Sequence, residues 1–255
     1  MQLRNNLFEV TTQPEWTKEF EAYTERYPYE DDFYQLHMDG IIDRAKWDKD
    51  GTGIMLFCDA SWKGQYIGRN YIYPQILRLK EAIYRDLPYY FRIEDGWIKA
   101  VEEGLFHRPA TEECRVHYAA LVNVAKIDDK VTYGNCATEN GVVCDGAFLY
   151  RQIQAIAPKV VLSANLADWF FEVMRRGEED KFRLKELPEK RVTQEFMARR
   201  VKTLYQSEKG GAKLTVYDYD GLLVFDTASP MARGRYATKP ETILNAIREI
   251  QKSAR

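Results

Sequence analysis

Residues that build metal centres and disulfide frameworks are scarce in this sequence. Its 255 residues include only three histidines and four cysteines. The cysteines form no C-x-x-C pair and the histidines show no zinc-ligand spacing, so we predict no metal site and no cofactor. Free thiols are favoured over disulfides, and an iron–sulfur cluster is an alternative that the cysteine spacing does not suggest. The cysteines are Cys58, Cys114, Cys136 and Cys144.

Long apolar runs are also missing. No stretch reaches the roughly 20 residues that a membrane helix needs, and the amino terminus has no apolar signal-peptide core. We therefore expect a cytoplasmic protein without a membrane partner. The formal net charge of -2 provides no bulk attraction for nucleic acid, so any anion-binding surface must be local.

The common nucleotide-binding and hydrolase signatures are absent as well. The sequence contains neither the phosphate-binding G-x-x-x-x-G-K-[ST] nor the dinucleotide-binding G-x-G-x-x-G. The stretch VLSAN around Ser163 lacks the flanking glycines of a nucleophile elbow. We therefore predict neither a phosphate-binding loop nor a serine-hydrolase site.

What the sequence does contain is an alternation of apolar strands with amphipathic helices. Apolar runs at residues 54–58 and 159–164, and within 114–126, are typical of strands buried on both faces of a parallel sheet. Residues 210–226 predict a strand, an Asp-Gly turn and a fourth core strand. Helices are predicted at residues 74–87, 145–158, 166–176 and 190–207, and in the last segment, where Thr238 is a candidate N-cap.

This alternation predicts an α/β fold, a three-layer α/β/α sandwich with a mainly parallel central sheet. We expect a single domain over residues 1–255. Residues 14–50 look helical, so residues 1–50 are expected to form a helical extension packed on the domain. Residues 176–215 are expected to form a charged insertion, which could be a partner surface.

Polar residues follow several of the predicted strands. In a parallel sheet, ligands bind beyond the carboxyl ends of the strands. Asp59 follows the first strand, Asn123 lies at the end of the second, and Thr227 follows the fourth. A carboxylate, an amide, an aromatic plane and a basic loop could together hold a flipped base. The structural alternatives are an Asp that caps a turn, an Asn that satisfies loop backbone and a hydroxyl that stabilises a turn.

These segments resemble, in order, the motifs of the uracil-DNA glycosylase superfamily. IMLFCDAS resembles the strand that ends in G-E-A-P-G or G-Q-D-P, GRNYIY resembles G-R-P-F, and LVNVAK resembles the strand ending in N-x-x-K. FLYRQIQAIAPKVVL resembles the helix–strand unit of the family, and LLVFDTASPM resembles its last strand with H-P-S-P-L. The resemblance spans about residues 53 to 250. It implies the fold of that superfamily and a role in DNA base excision, by hydrolysis of the N-glycosidic bond of a flipped uracil-like base.

The resemblance also implies roles for individual residues. Asp59 would position water and stabilise positive charge on the sugar, and Thr227 would be the second catalytic residue, in contact with the base. The implied base-binding residues are Cys58, Ser61, Tyr71 and Asn123. The implied DNA-binding residues are Lys126, Ser229, Met231, Arg233 and Arg235, with Met231 as the apolar wedge. The implied partner is single- or double-stranded DNA, or a nucleobase or nucleotide ligand.

Three departures from the motifs keep other hypotheses open. Cys58, Ser61 and Thr227 stand where the family has Gly, Pro and His, and threonine donates a hydrogen bond but supplies no cation. The alternative to an enzyme is a catalytically inactive module that binds a base, a nucleotide or nucleic acid. An unrelated α/β hydrolase or transferase that uses Asp59 is a third hypothesis. His117, which is predicted to lie within a strand, is interpreted as a core histidine.

Overall fold

The computed structural model describes residues 33–36, 40–59, 65–68, 73–124, 137–179, 190–209, 212–228 and 238–254. Several residues with implied roles lie outside these ranges, and their roles stay predictions. They are Ser61, Tyr71, Lys126, Ser229, Met231, Arg233 and Arg235.

Strands and helices alternate along most of the described chain. The strands are β1 (Phe33–Leu36), β2 (Gly40–Ile41), β3 (Ile54–Cys58), β4 (Gln65–Gly68), β5 (Ala120–Asn123), β6 (Val160–Ala164), β7 (Val201–Lys209), β8 (Ala212–Tyr219) and β9 (Leu222–Thr227). The helices are α1 (Arg44–Asp50), α2 (Tyr73–Tyr90), α3 (Arg92–Phe106), α4 (Ala137–Ile156), α5 (Ala167–Glu178), α6 (Lys190–Arg200) and α7 (Pro240–Ser253), and a 3₁₀ turn covers Val116–Tyr118.

One mixed sheet organises the fold. Its strands lie in the order β2, β5, β3, β6, β9, β8, β7. The four inner strands, β5, β3, β6 and β9, run parallel to one another. Antiparallel strands complete both sides, with β2 beside β5 and the β8–β7 pair beside β9. The predicted α/β class with a mainly parallel centre is confirmed.

Helices cover both faces of this sheet because its central strands are apolar on both sides. On β3, Ile54, Leu56 and Cys58 pack in the cluster that includes α2, α3 and α7. Met55 and Phe57 point the other way, into the cluster that includes α4 and α5. Every residue of β3 is buried, as the continuous apolar run predicts.

The helical prediction for residues 14–50 is wrong for part of its length. Phe33–Leu36 is a strand that pairs antiparallel with Gln65–Gly68, and Gly40–Ile41 is a strand that pairs with β5. Gly40 has a φ of 107°, which a helix does not allow. Among the described residues of this segment, only Arg44–Asp50 is helical, with Asp43 as its N-cap.

The predicted helix over residues 190–207 also ends early. It stops at Arg200, and Val201–Lys209 forms a nine-residue strand against β8. Backbone pairing with β8 outweighs the helical preference of the charged residues, because strand propensity depends strongly on neighbouring strands. The segment predicted as a charged insertion therefore contributes a strand to the main sheet.

Two predictions about single residues are wrong. Lys239, not Thr238, is the N-cap of α7, and it makes no side-chain cap hydrogen bond. The Thr238 hydroxyl instead accepts from the N–H of Ala228 at 2.8 Å and donates to the carbonyl of Lys213 at 3.1 Å. His117 lies in the half-buried 3₁₀ turn before β5, where its ring stacks on Tyr84 at a centroid distance of 4.2 Å. In the described ranges, no helix combines the length and the apolar character needed to cross a membrane.

Candidate site at the carboxyl ends of the parallel strands

The strand order places a topological switch point between β3 and β6. After β3 the next strand of this sheet is β5, on one side, and after β6 the next strand is β7, at the far edge on the other side. Adjacent strands whose connections diverge in this way leave a ligand-sized crevice beyond their carboxyl ends. We therefore expect the crevice beyond Cys58 on β3 and Ala164 on β6.

The sheet register brings several predicted site residues into one row. Cys58 on β3 pairs with Asn123 on β5, and Ala164 on β6 pairs with Thr227 on β9. Adjacent strands lie about 4.8 Å apart, so Thr227 is about 10 Å from Cys58, two strands away, and about 14 Å from Asn123, three strands away. The structure thus brings Cys58 and Asn123 together and places Thr227 farther along the same edge.

Asp59 is an exposed carboxylate at this edge. It follows β3 directly and is exposed, whereas Asn123 and Cys58 are buried, at 0% and 7% exposure. Burial, and then the nearby charges of Glu94 and Asp59, raise the pKa of the Cys58 thiol, so this side chain is neutral. Cys58 is a free thiol. Of the three residues, Asp59 is the one that a ligand in the crevice reaches from solvent.

An exposed amide directly after β6 was missed by the sequence reasoning. Asn165 follows β6 and is exposed, with a φ of 61° in the left-handed region that asparagine tolerates better than most residues. Phe57 pairs with Ser163, and Asp59 and Asn165 each lie two residues beyond that pair. The two polar residues therefore directly follow the two strands on either side of the switch point. The asparagine directly after the apolar run VVLSA is the sequence signal that could have revealed this residue.

The Thr227 side chain is buried and hydrogen-bonded within the sheet. Its side chain is 1% exposed, and its hydroxyl donates to the carbonyl oxygen of Ser163 at 2.8 Å. This bond links the ends of β9 and β6. Donation to a bound base would require the hydroxyl proton to leave Ser163, so the catalytic role implied for Thr227 stays a prediction.

A buried carboxylate, Asp226, holds the start of α5 against the end of β9. One of its oxygens, Oδ1, accepts from the Ser163 hydroxyl and the Leu166 N–H, each at 3.1 Å, and from the Ala167 N–H at 3.3 Å. Burial raises the pKa of Asp226, and Lys213 and these donors oppose part of that rise. Ser163 also accepts from the Leu166 N–H at 3.0 Å. Both side chains are therefore structural supports of the crevice wall.

We expect Asp226→Ala to lower the free energy of unfolding by about 2 to 4 kcal/mol, because it leaves buried donors at the start of α5 unsatisfied. Asp226→Asn retains an acceptor oxygen and is expected to cost less than about half of that. Urea denaturation of both variants measures the difference. Equal losses in the two variants would contradict the capping role.

Glu94 is a second residue that the sequence reasoning missed, because helix α3 was not among the predicted elements. The acid lies in the first turn of α3 and is only 6% exposed. It shares a helical stripe with Trp97, Ile98 and Val101, which are buried core residues. An acid on an apolar stripe is the sequence signal that could have revealed it. Burial raises the pKa of Glu94 to about 7.

Known proteins offer no direct guide to this edge of the sheet. No family model, curated protein or solved structure matches the chain. Among the described residues, no group of three histidines, cysteines or acids is placed to hold a metal ion. The geometry of the strand ends is therefore the basis for a functional proposal.

Proposed function

We propose that the crevice binds a nucleobase extruded from DNA and that the protein hydrolyses its N-glycosidic bond. The observation that carries the proposal is the position of Asp59, an exposed carboxylate at the crevice between β3 and β6. The ordered resemblance to uracil-DNA glycosylase motifs supports the same function and the same superfamily fold. DNA is the proposed partner, through basic and turn residues outside the described ranges.

The proposed reaction needs little covalent participation from the protein. The C1′–N bond breaks and its electron pair leaves with the base, while a water oxygen bonds to C1′. Asp59 orients that water, accepts its proton and stabilises the positive charge that develops on the sugar. The exposed amide of Asn165 offers paired donor and acceptor atoms to a base edge, in addition to the implied role of Asn123.

Release of uracil from single- and double-stranded oligonucleotides tests the proposal. Asp59→Asn is expected to slow single-turnover release by about 10²- to 10⁴-fold, because it removes the proton acceptor and the negative charge. Affinity for the same oligonucleotides is expected to change little. Asp48→Asn is the control, because Asp48 is an exposed acid on α1, before the amino end of β3. Folded wild-type protein that releases no uracil at high concentration would rule out the hydrolytic function.

A second candidate function, binding without catalysis, is favoured by one observation. The Thr227 hydroxyl, in the position of the expected catalytic histidine, already donates to Ser163. Oligonucleotide binding at low salt without base release would support this candidate. Lack of both binding and release would exclude it together with the first.

A further inference from the structure

Glu94 is a buried acid that, among the described residues, has no cation acting on its pKa. Its carboxyl group lies in the first turn of α3 at 6% residue exposure. Among the described residues, the only hydrogen bond that acts on its pKa comes from its own backbone N–H. A buried carboxyl without a cationic partner costs free energy when it ionises, so such groups concentrate at functional sites.

The first turn of α3 lies beside the strand ends that form the crevice. The charge of Glu94 acts on the Cys58 thiol at the end of β3, as does the charge of Asp59. Farther along α3, the Trp97 indole N–H donates to the carbonyl of Thr238 at 2.7 Å, and the Thr238 hydroxyl bonds to Ala228, the residue after β9. Helix α3 is therefore held against the carboxyl edge from β3 to β9.

Helix α3, which carries Glu94, packs on the face of the sheet to which Cys58, Asn123 and Thr227 point. Cys58, Leu121 and Phe225 belong to the cluster that includes α3. Side chains alternate along a strand, so Asn123 and Thr227, two residues beyond Leu121 and Phe225, point to that face as well. The carboxyl group thus shares its side of the sheet with three of the predicted site residues.

Among the described residues, neighbouring charges do not account for the raised pKa of Glu94. Burial raises its pKa to about 7, opposed in part by its own N–H. The titratable residues on or beside the elements packed near it include Cys58 and Asp59 by β3, Asp95 and Lys99 on α3, Asp86 on α2, His117 in the 3₁₀ turn, and Lys239, Glu241, Arg248 and Glu249 at or in α7. None of these is a cause of the raised pKa.

We propose that Glu94 is the proton donor to the departing base, a role that the Thr227 hydroxyl cannot fill while it donates to Ser163. This inference rests on the proposed glycosidic hydrolysis. As the C1′–N bond breaks, the Glu94 proton moves to a nitrogen or carbonyl oxygen of the base, which carries the electron pair. The water that attacks C1′ gives its proton to Asp59, and solvent then restores both carboxyl groups. A carboxylic acid kept neutral by an apolar site is a suitable donor at neutral pH.

The first experiment measures single-turnover uracil release from pH 6 to 8. The wild-type rate is expected to fall about tenfold across this range as Glu94 ionises. Glu94→Gln, which is isosteric but has no acidic proton, is expected to be about 10²- to 10³-fold slower at pH 6 and nearly independent of pH. Glu103→Gln, an exposed acid on the same helix, is the control and should match the wild type. Thermal melts confirm that each variant is folded.

The second experiment separates this inference from the proposed hydrolysis. It measures affinity for an oligonucleotide whose uracil nucleotide carries a 2′-fluorine, which withdraws electrons from the sugar and slows cleavage. Wild-type affinity is expected to weaken about tenfold from pH 6 to 8, as the protonated fraction of Glu94 falls, and Glu94→Gln should remove this dependence.

The outcomes distinguish the two proposals. Release with unchanged rate and pH profile in Glu94→Gln overturns the role of Glu94 and leaves the hydrolysis standing. Absence of release, together with pH-dependent binding that Glu94→Gln abolishes, overturns the hydrolysis and supports Glu94 as a donor to the bound base. Absence of both release and binding overturns both.

Discussion

Glu172→Gln is expected to lower the free energy of unfolding by about 3 to 5 kcal/mol, the largest loss that we predict for a single substitution. The Glu172 carboxylate accepts from Arg175 at 2.7 and 2.9 Å, from Arg176 at 2.7 Å and from Thr193 at 2.6 Å. The side chains of Glu172, Arg175 and Arg176 are each at most 6% exposed. Removing the carboxylate charge leaves two buried guanidinium groups without their shared anion.

The same cluster has a defined pH dependence. Burial raises the pKa of Glu172, but the bonds from Arg175, Thr193 and Arg176 outweigh that effect and hold the pKa below its ordinary value of 4.5. A lowered pKa in the folded state stabilises the protein above pH 4.5, and this contribution is lost as the pH falls below that value. Urea denaturation at pH 7 and at pH 3 to 4 should show a smaller deficit for Glu172→Gln at the lower pH.

Glu179→Gln is the matched control for this prediction. Glu179 also bonds to Arg175, at 2.6 Å, but its side chain is 35% exposed. Solvent screens such a pair, so we expect its loss to cost less than about 1 kcal/mol. Similar losses in the two variants would contradict the central role of Glu172 in joining α5 to α6 through Thr193.

The second large effect is an increase in stability. At pH 8, Glu94→Gln is expected to raise the free energy of unfolding by as much as about 3 kcal/mol, because glutamine carries no charge to bury. Burial raises the pKa of Glu94 from its ordinary value of 4.5 to about 7. The favourable contribution of the neutral group is complete below pH 4.5 and is lost as the pH rises to about 7, so the variant and the wild type should converge near pH 4.5.

Denaturation curves at pH 4.5, 6 and 8 check this prediction, with Glu103→Gln as the exposed control on the same helix. A stability difference that does not depend on pH would show that Glu94 ionises normally. A residue whose removal stabilises the fold is typical of sites where function opposes stability. The increase is expected whether or not the protein hydrolyses a glycosidic bond, so it measures the burial of Glu94 alone.

Local patterns in the sequence were sufficient for the core strands. The apolar runs IMLFC and VVLSA were correctly predicted as buried strands, because no charge or glycine interrupts them. The Asp220-Gly221 turn between β8 and β9 was also correct, and both of its residues adopt positive φ. These features depend on neighbours in sequence, so pattern and turn chemistry are enough to find them.

Local patterns failed where partners distant in sequence decide the structure. Phe33–Leu36 was predicted as helix, and so was Val201–Lys209 as far as residue 207, but the two segments pair as strands with β4 and β8. Helix α3 follows Pro88 and has an acid on its apolar stripe, and it was not recognised. Propensity is a weak guide at such positions, because cross-strand pairing and packing on the sheet exceed it in energy.

By itself, the sequence determined the α/β class, the central strands and the presence of Asp59 after the first of them. Only the tertiary structure decided which strands are neighbours, and hence that Asn123 lies beside Cys58 while Thr227 bonds to Ser163. It also decided that Glu94 is buried beside the same strand ends. Strand order, register and burial arise from contacts between residues far apart in the chain, and the free energy of those contacts is not encoded in any short segment.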